Sequence, residues 1–545
     1  MRKRISLLSV VLLLTLVAFT DPGKRYFDIA KNLDIFATLF KEVNAYYVDE
    51  IDPAKLIQLS IRGMLDSLDP YTDYIPEEEM EAFSILTTGQ YAGIGALITS
   101  INKKSVIAHP YENFPAFRAG LKVGDEIISV DGKNVRGKPT HEISTLLKGS
   151  PASEVTLVVD RMGKEFSFKL NREKIKINNV VYQDLIDENI GYIKLDDFTP
   201  GAAKEVEAAV VALKQKGATK LILDLRDNPG GLLYEAVNIV NLFIPKGKEV
   251  VATKGKVMDW NKSYTTLNSP LDTETSLAIL TSSGSASASE IVAGALQDYD
   301  RAVLVGQKTF GKGLVQTTRP LAYNAQLKVT TAKYYIPSGR CIQALDYTHR
   351  RQDGTVERFA DSLKASFKTM NGRTVYDGGG LDPDVQVARE PIGSAVSEII
   401  RSGLVFAFAT RYCFEHPDIK HFQKFRLTDE DYHQFEALLI ERNFSYSTNL
   451  EKQVDDLIVE ARNEKYYEGL QSSFNLLQSK IAQNHLSYTA LFRDEIKQIL
   501  EDEIAFHQTL HRGRTEVSLE RDMEIAYAKR ILNDQGGYQE LLKPR

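Results

Sequence analysis

Between Tyr26 and Phe83 apolar residues recur at helical spacing, at Ile35, Leu39 and Val43 and again at Ile57, Ile61, Met64, Leu65 and Leu68. Asp69-Pro70-Tyr71-Thr72 interrupts them as a turn signal, so residues 24–85 read as a small helical region. Over 86–172 the texture changes to short β-rich runs, GIGALITSI, EVTLVVDR and EFSFKL, divided by glycine turns such as Val123-Gly124-Asp125 and Asp131-Gly132. This predicts one compact, mostly β module. From 173 to 390, and most clearly between 176 and about 345, strands alternate with helices. Lys220 to Leu225 reads as a strand, followed by Arg226-Asp227-Asn228-Pro229-Gly230-Gly231 and a helix that Pro245 and Gly247 stop. Leu277 to Thr281 reads as a second strand, then a serine-rich turn, a helix from about Ala288 to Leu296, and a third strand at Ala302 to Val305. Repeated strand, turn and helix is the grammar of an α/β layer, whose active groups gather in loops at the carboxyl ends of strands. Residues 391–545 carry long charged helical patterns with few glycines and read as an appended helical region.

The expected fold is thus α/β and multidomain, and 545 residues at roughly 150 per domain allow about three or four domains. With 43% hydrophobic and 26% charged residues, the composition is that of a soluble globular protein. Residues 1–20, MRKRISLLSVVLLLTLVAFT, combine a basic head with an apolar run shorter than the roughly 20 residues of a spanning helix. That is the pattern of a secretory signal, with Ala18 and Thr20 at peptidase spacing, and an uncleaved N-terminal anchor stays open. Export, to a periplasm, is the expectation. A net charge of −6, from 67 basic and 73 acidic residues without a basic run, gives nucleic acid no footing. Cys341 and Cys413 have no zinc-ligand spacing, and they read as a possible pair or as free thiols.

Candidate chemistry begins at Ser287, a serine at a strand-to-helix turn, where the free N–H groups of the next helix stabilise negative charge. Ser287-Ala288-Ser289-Glu290 also matches a capping box, and on those four residues alone capping is the stronger reading. Thr309-Phe310-Gly311-Lys312-Gly313 follows the third strand. Phe310 and Leu314-Val315 bracket Lys312 as a candidate for burial, and a desolvated lysine can accept a proton from a serine hydroxyl. A solvated glycine-rich turn is the competing reading. Residues 306–312 fit the first seven positions of a P-loop, but the eighth is Gly313, with no hydroxyl for Mg²⁺. None of the nine histidines lies between His141 and His349, so nothing points to a Ser-His-Asp triad, and no H-E-x-x-H occurs. The glycines of Asn228-Pro229-Gly230-Gly231 would let main-chain N–H groups approach a ligand as an oxyanion hole, or simply shape the turn into a helix.

Together GSASASEIVAGALQD at 284–298, TFGKGLVQ at 309–316 and DLRDNPGGLL at 224–233 resemble the carboxyl-terminal processing peptidases, also called tail-specific proteases. The order and spacing of the three motifs match that family. The resemblance implies a Ser–Lys dyad in which Ser287 is the nucleophile, Lys312 the general base and Gln316 the residue that orients it. It implies an oxyanion hole from the N–H of Ala288 and of the glycine pair, with Gly230 preferred to Gly231, and no metal or nucleotide cofactor. Upstream, Gly93-Ile94-Gly95-Ala96, PAFRAGL at 115–121 and Gly124-Asp125-Glu126-Ile127-Ile128 resemble a PDZ domain, which implies that the Gly93–Ala96 loop binds a terminal carboxylate while the peptide adds a strand to the sheet. LDSLDPYTDYIP at 65–76 resembles the family's N-terminal helical region. The implied partners are proteins or peptides with accessible C-termini. A PDZ scaffold without turnover and a serine acyltransferase or β-lactam hydrolase are the rivals. For 391–545, oligomerisation, an adaptor site, a cap over a substrate tunnel and a plain structural role all stay open.

Overall fold

Asp52 and Pro53 show how locally the first helices are written. In the computed structural model, which describes residues 22–351, 355–359, 362, 364–389, 392–419, 421–486 and 488–544, helix α1 (Pro22–Tyr46) precedes α2 (Pro53–Asp66). Asp52 caps α2, its carboxylate accepting the Ala54 N–H at 2.9 Å, and Pro53 takes the first position, where no N–H is needed. Residues 22–74 form a unit of their own. Ile35 and Leu39 of α1 are 53% and 58% exposed, so their spacing makes a helix without making a buried face. Residues 1–20, read above as a secretory signal, lie outside the described residues. Among the described residues no helix is long and apolar enough to cross a membrane.

The predicted β module contains β1 (Gln90–Gly93), β2 (Ala96–Ile101), β3 (Lys104–Pro110), β4 (Glu126–Val130), β5 (Lys133–Asn134), helix α3 (Thr140–Leu147), β6 (Glu154–Arg161) and β7 (Lys164–Asn171). Its sheet runs β2-β3-β4-β6-β7, with β5 paired to β4, while β1 pairs separately with β8 (Glu173–Lys176). Val155, Leu157 and Val159 are fully buried at alternate positions of β6, the period of a strand with one face on the core. Strand β2 is an edge strand whose only sheet partner among the described residues is β3.

The alternating region builds a second sheet from β9 (Val180–Leu185), β10 (Ile190–Leu195), β11 (Lys220–Asp224), β12 (Ser276–Thr281), β13 (Val303–Gly306) and β14 (Val385–Gln386), in that order. All but β9 run parallel. Register pairs Asp224 with Leu280 and Thr281 with Gly306, so the loops after β11, β12 and β13 leave the sheet at one edge. These are the three loops that carry the motifs. Helices α4 (Ala202–Gln215), α5 (Leu233–Phe243) and α6 (Ala288–Asp298) cover one face, burying Val206, Phe243 and Leu296 against Leu221, Leu223 and Ile279. The strands are apolar on both faces, and Tyr192, Ile222, Leu280 and Val303 point to the other side. The Lys312 loop runs into the hairpin of β15 (Leu314–Pro320) and β16 (Gln326–Tyr335).

The helical stretch beyond 391 divides. Helices α7 (Ser394–Arg401), α8 (Leu404–Glu415) and α9 (Asp429–Glu441) share a core with α12 (Arg493–Ser518), centred on Phe408, Tyr432, Phe435, Leu500 and Ile504. Between them α10 (Asn449–Asn463) and α11 (Tyr467–Leu486) form a hairpin around Val454, Ile458, Ala461 and Phe474. Helix α12 breaks at Thr509 and Leu510, and its far half leads to α13 (Met523–Asn533) and α14 (Gln535–Leu541). Those two bury Ile525, Ala528, Leu532 and Tyr538 on the second face of the parallel sheet, which makes them its third layer rather than an appendage.

Candidate active site

Ser287 stands at the N-cap of α6 with φ 57° and ψ −112°, a region that a non-glycine residue occupies only when its surroundings impose it. Every residue of α6 is buried, whereas Ser287 itself is partly open to solvent. The S-x-x-E capping box forms, and its Glu290 arm accepts the Ser287 N–H at 2.9 Å. The Ser287 hydroxyl makes no cap hydrogen bond of full geometry. Upstream, Ser285 Oγ donates to the Leu225 carbonyl at 2.7 Å, tying the serine turn to the end of β11.

Glu290 does more than close a helix. It is fully buried, and its two oxygens gather the lysine loop: Oε1 accepts from Thr309 Oγ1 (2.5 Å) and the Gly311 N–H (2.8 Å), and Oε2 accepts the Lys312 N–H (2.8 Å). The main-chain nitrogens of Ser287 and Lys312 therefore meet on one carboxylate oxygen. Burial pushes the Glu290 carboxyl above its ordinary range, opposed by the hydrogen bonds that Thr309, Lys312, Ser287 and Gly311 donate. Phe310 N–H adds a bond to the Ser285 carbonyl at 3.0 Å. Gly311 is required by space as well as by its φ of +89°, because a Cβ there would lie 2.4 Å from the Ala344 side chain. The loop is thus a packed element rather than a free surface turn. Lys312 is half-buried, Phe310 remains 43% exposed, and Tyr334 Oη donates to the Lys312 carbonyl.

Asn228 joins the third motif to the other two. Wholly buried, it donates Nδ2 to the Leu195 carbonyl (2.7 Å), and its own carbonyl accepts the Ala286 N–H (3.0 Å) and Ser289 Oγ (2.9 Å). Gly230, at φ +95°, comes so close to the serine turn that a Cβ would lie 2.7 Å from Ala288 N and 2.8 Å from Ser287 Cβ. The glycine pair is not equivalent. The Gly230 N–H is held by Asn228 Oδ1 at 2.9 Å, whereas among the described residues the N–H groups of Gly231 and Ala288 have no acceptor. Gln316 lies on β15 at a bulge after Val315 and donates Nε2 to Thr330 Oγ1 at 3.2 Å.

In the β module, Gly93 ends β1, Ile94 and Gly95 form the turn, and Ala96 opens the edge strand β2. The carbonyls of Ile94 and Gly95 accept the N–H groups of Ala116 and Tyr111, at 2.8 and 2.9 Å. Their own N–H groups have no acceptor among the described residues. Cys341 and Cys413 are free thiols, each pushed up by burial, Cys413 to about 12. Sequence reasoning found the three loops but missed Glu290 as their bracket and Asn228 as their anchor. The only signal for Glu290 was its place in the capping box.

Residues 189–348 match peptidase family S41, residues 106–161 a PDZ domain, and residues 395–532 the C-terminal helical domain of a probable PDZ-protease. A carboxy-terminal-processing protease of Bartonella bacilliformis is 39% identical over 58% of this chain and 74% of its own length. A probable CtpA-like serine protease of Staphylococcus aureus is 37% identical over 61% of this chain and 68% of its own. The solved structure of a photosystem II D1 C-terminal processing protease is 27% identical and covers 67% of this chain and 95% of its own, at a TM-score of 0.36. With a PDZ domain ahead of an α/β peptidase core and a helical region behind it, the chain belongs to the carboxy-terminal-processing proteases of peptidase family S41.

Proposed function

We propose that this protein is an exported serine endopeptidase that takes hold of substrate C-termini through its PDZ domain and cleaves peptide bonds with a Ser287–Lys312 dyad. The observation that carries this reading is the shared Glu290 oxygen, which holds the main chain of both residues at one point while Ser287 is kept in a strained, partly exposed turn. Ser287 Oγ attacks the peptide carbonyl and its proton passes to Lys312 Nζ. The developing oxyanion is met by the N–H of Ala288 and by that of the glycine pair, where Gly231 is the one without an acceptor. The C–N bond then breaks, the proton goes to the leaving amine, and water hydrolyses the acyl-enzyme. Gln316, four residues beyond the lysine, acts as the helper of the base.

Recognition of a C-terminus is supported by the open edge of β2, which has α3 as its neighbour, and by the unpaired N–H groups of Ile94 and Gly95 within the Gly93–Ala96 loop. The basic head and apolar run of residues 1–20 support export to a periplasm. The full chain with Ser287→Ala, and separately with Lys312→Ala, is to be compared with wild type on an unstructured peptide bearing a free C-terminus. Each variant is expected to be folded and to lose at least about a thousandfold in kcat. A folded Ser287→Ala protein that cleaves at the wild-type rate overturns the dyad. Amidating the peptide's C-terminus is expected to raise KM, and an unchanged KM overturns the PDZ part. Mass spectrometry of the periplasmic fraction tests export.

A further inference from the structure

Arg226 ends the strand side of the Asp227–Gly231 turn, and three carboxylates from two distant parts of the chain hold its guanidinium. Asp224 accepts from Nε at 3.0 Å and from NH2 at 2.6 Å. Asp522 Oδ2 accepts from NH1 at 2.7 Å, and Glu524 Oε2 accepts from the same nitrogen. The four side chains are 11% exposed or less apart from Asp522 at 15%. Asp224 is further fixed by Tyr192 Oη at 2.6 Å and by the Arg226 N–H at 2.9 Å. Burial alone would push the Asp224 carboxyl up, but the charges of Arg226 and Lys194 and the bonds from Arg226 and Tyr192 hold it well below the usual carboxylate range. Asp522 is also the N-cap of α13, its Oδ1 accepting the Ile525 N–H at 3.0 Å, so the helix that covers the back of the sheet delivers both acids to the arginine.

A buried charge held by several partners keeps its geometry because losing one partner strands the others in a low-dielectric site. Arg226 is pinned in this way from residues nearly three hundred positions later, and the turn it opens sets Gly230 against Ser287 and Ala288. We infer that Asp522 and Glu524 are positioning residues for peptide hydrolysis: through Arg226 they hold the oxyanion turn in register with the nucleophile, which makes the C-terminal helical region part of the working active site. This rests on the reading that Ser287 and the glycine turn form the site.

The test is the full chain carrying Asp522→Asn with Glu524→Gln, where the asparagine oxygen still caps α13. Active sites are titrated with a fluorophosphonate, and kcat and KM are measured against wild type and Ser287→Ala. The expected result is a fall of about 10- to 100-fold in kcat per titrated site, with slower fluorophosphonate labelling and KM within about twofold. Glu524→Asp, which keeps the charge, recovers part of the loss. Should the double variant fail to fold, Glu524→Gln alone carries the same expectation. A kcat per site within twofold of wild type, with Ser287→Ala inactive, overturns the positioning role and leaves the dyad standing. A folded Ser287→Ala protein with wild-type activity overturns both.

Discussion

Helices α7–α11 and the pair α13–α14 follow one another in the same charged, amphipathic style, yet they stand in opposite relations to the peptidase. In the first group α7–α9 enclose a core with α12 around Phe408 and Phe435, α10 and α11 have a small core of their own, and two of the helices start with complete capping boxes at Thr428 and Thr448. The second has no core of its own and spends its apolar face on Tyr192, Ile222, Leu280 and Val303. An amphipathic pattern states that one face is buried, and says nothing of what it is buried against. Only topology separates a satellite from a structural layer.

The largest expected effect divides the two groups outright. A chain ended at residue 520 exposes the back of the parallel sheet, and it is expected to give no cooperative unfolding transition and no active protein. Replacing residues 449–486 by a short Gly/Ser linker removes only a hairpin with its own small core, and it is expected to leave peptidase activity intact. Equal outcomes for the two deletions would break the comparison. Next come single core residues, both fully buried: Phe435→Ala and Leu532→Ala are each expected to cost about 3–5 kcal/mol in denaturant unfolding. Of the two, only Leu532→Ala is expected to lower kcat in the folded population.

A smaller effect sharpens the comparison where the satellite meets the PDZ domain. His507 of α12, 8% exposed, lies 3.1 Å from Thr410 Oγ1, against the Phe406 ring and beside Glu503 and Arg514. Burial first, and then Arg514, lower its pKa from 6.5 to about 3, opposed by a bond to the Glu503 main chain. The unfolded chain thus takes up a proton below 6.5 that the folded chain refuses. The contribution to stability is complete above that pH and is lost as pH falls toward 3. Between pH 7.5 and 5 the loss from this one group is about 2 kcal/mol in urea unfolding, and His507→Gln is expected to remove that part of the slope. Smallest is Thr448→Ala, which is expected to cost about 1 kcal/mol, read as faster hydrogen exchange in α10 with unchanged turnover.

Much of the peptidase core is legible because its signals are local. The strands at 220, 276 and 303 and the helix after Ser287 fall within two residues of their predicted limits, since glycine, proline and serine mark the turns that carry the motifs. The β-rich run EVTLVVDR also becomes a strand, with Val155, Leu157 and Val159 inward. What the pattern could not carry is long-range assembly. Glu290 satisfies the rule for a helix cap, and nothing nearby announces that donors at 309, 311 and 312 converge on it. Arg226 reads as one basic residue in a turn, because its partners lie at 522 and 524. Gly230 reads as the preferred donor of its pair, but the Asn228 side chain takes its N–H and leaves that of Gly231.

The third layer also sets a timetable. Strand β14 completes the parallel sheet at Gln386, but the helices that cover its second face begin at Met523, roughly 140 residues later. A chain that emerges from its N-terminal end, from a ribosome or through a membrane, must therefore carry an uncovered apolar sheet while that stretch is delivered. Over the same interval Arg226 lacks Asp522 and Glu524. The peptidase is consequently assembled late, and its nascent form is both the most aggregation-prone and the least able to cut its neighbours.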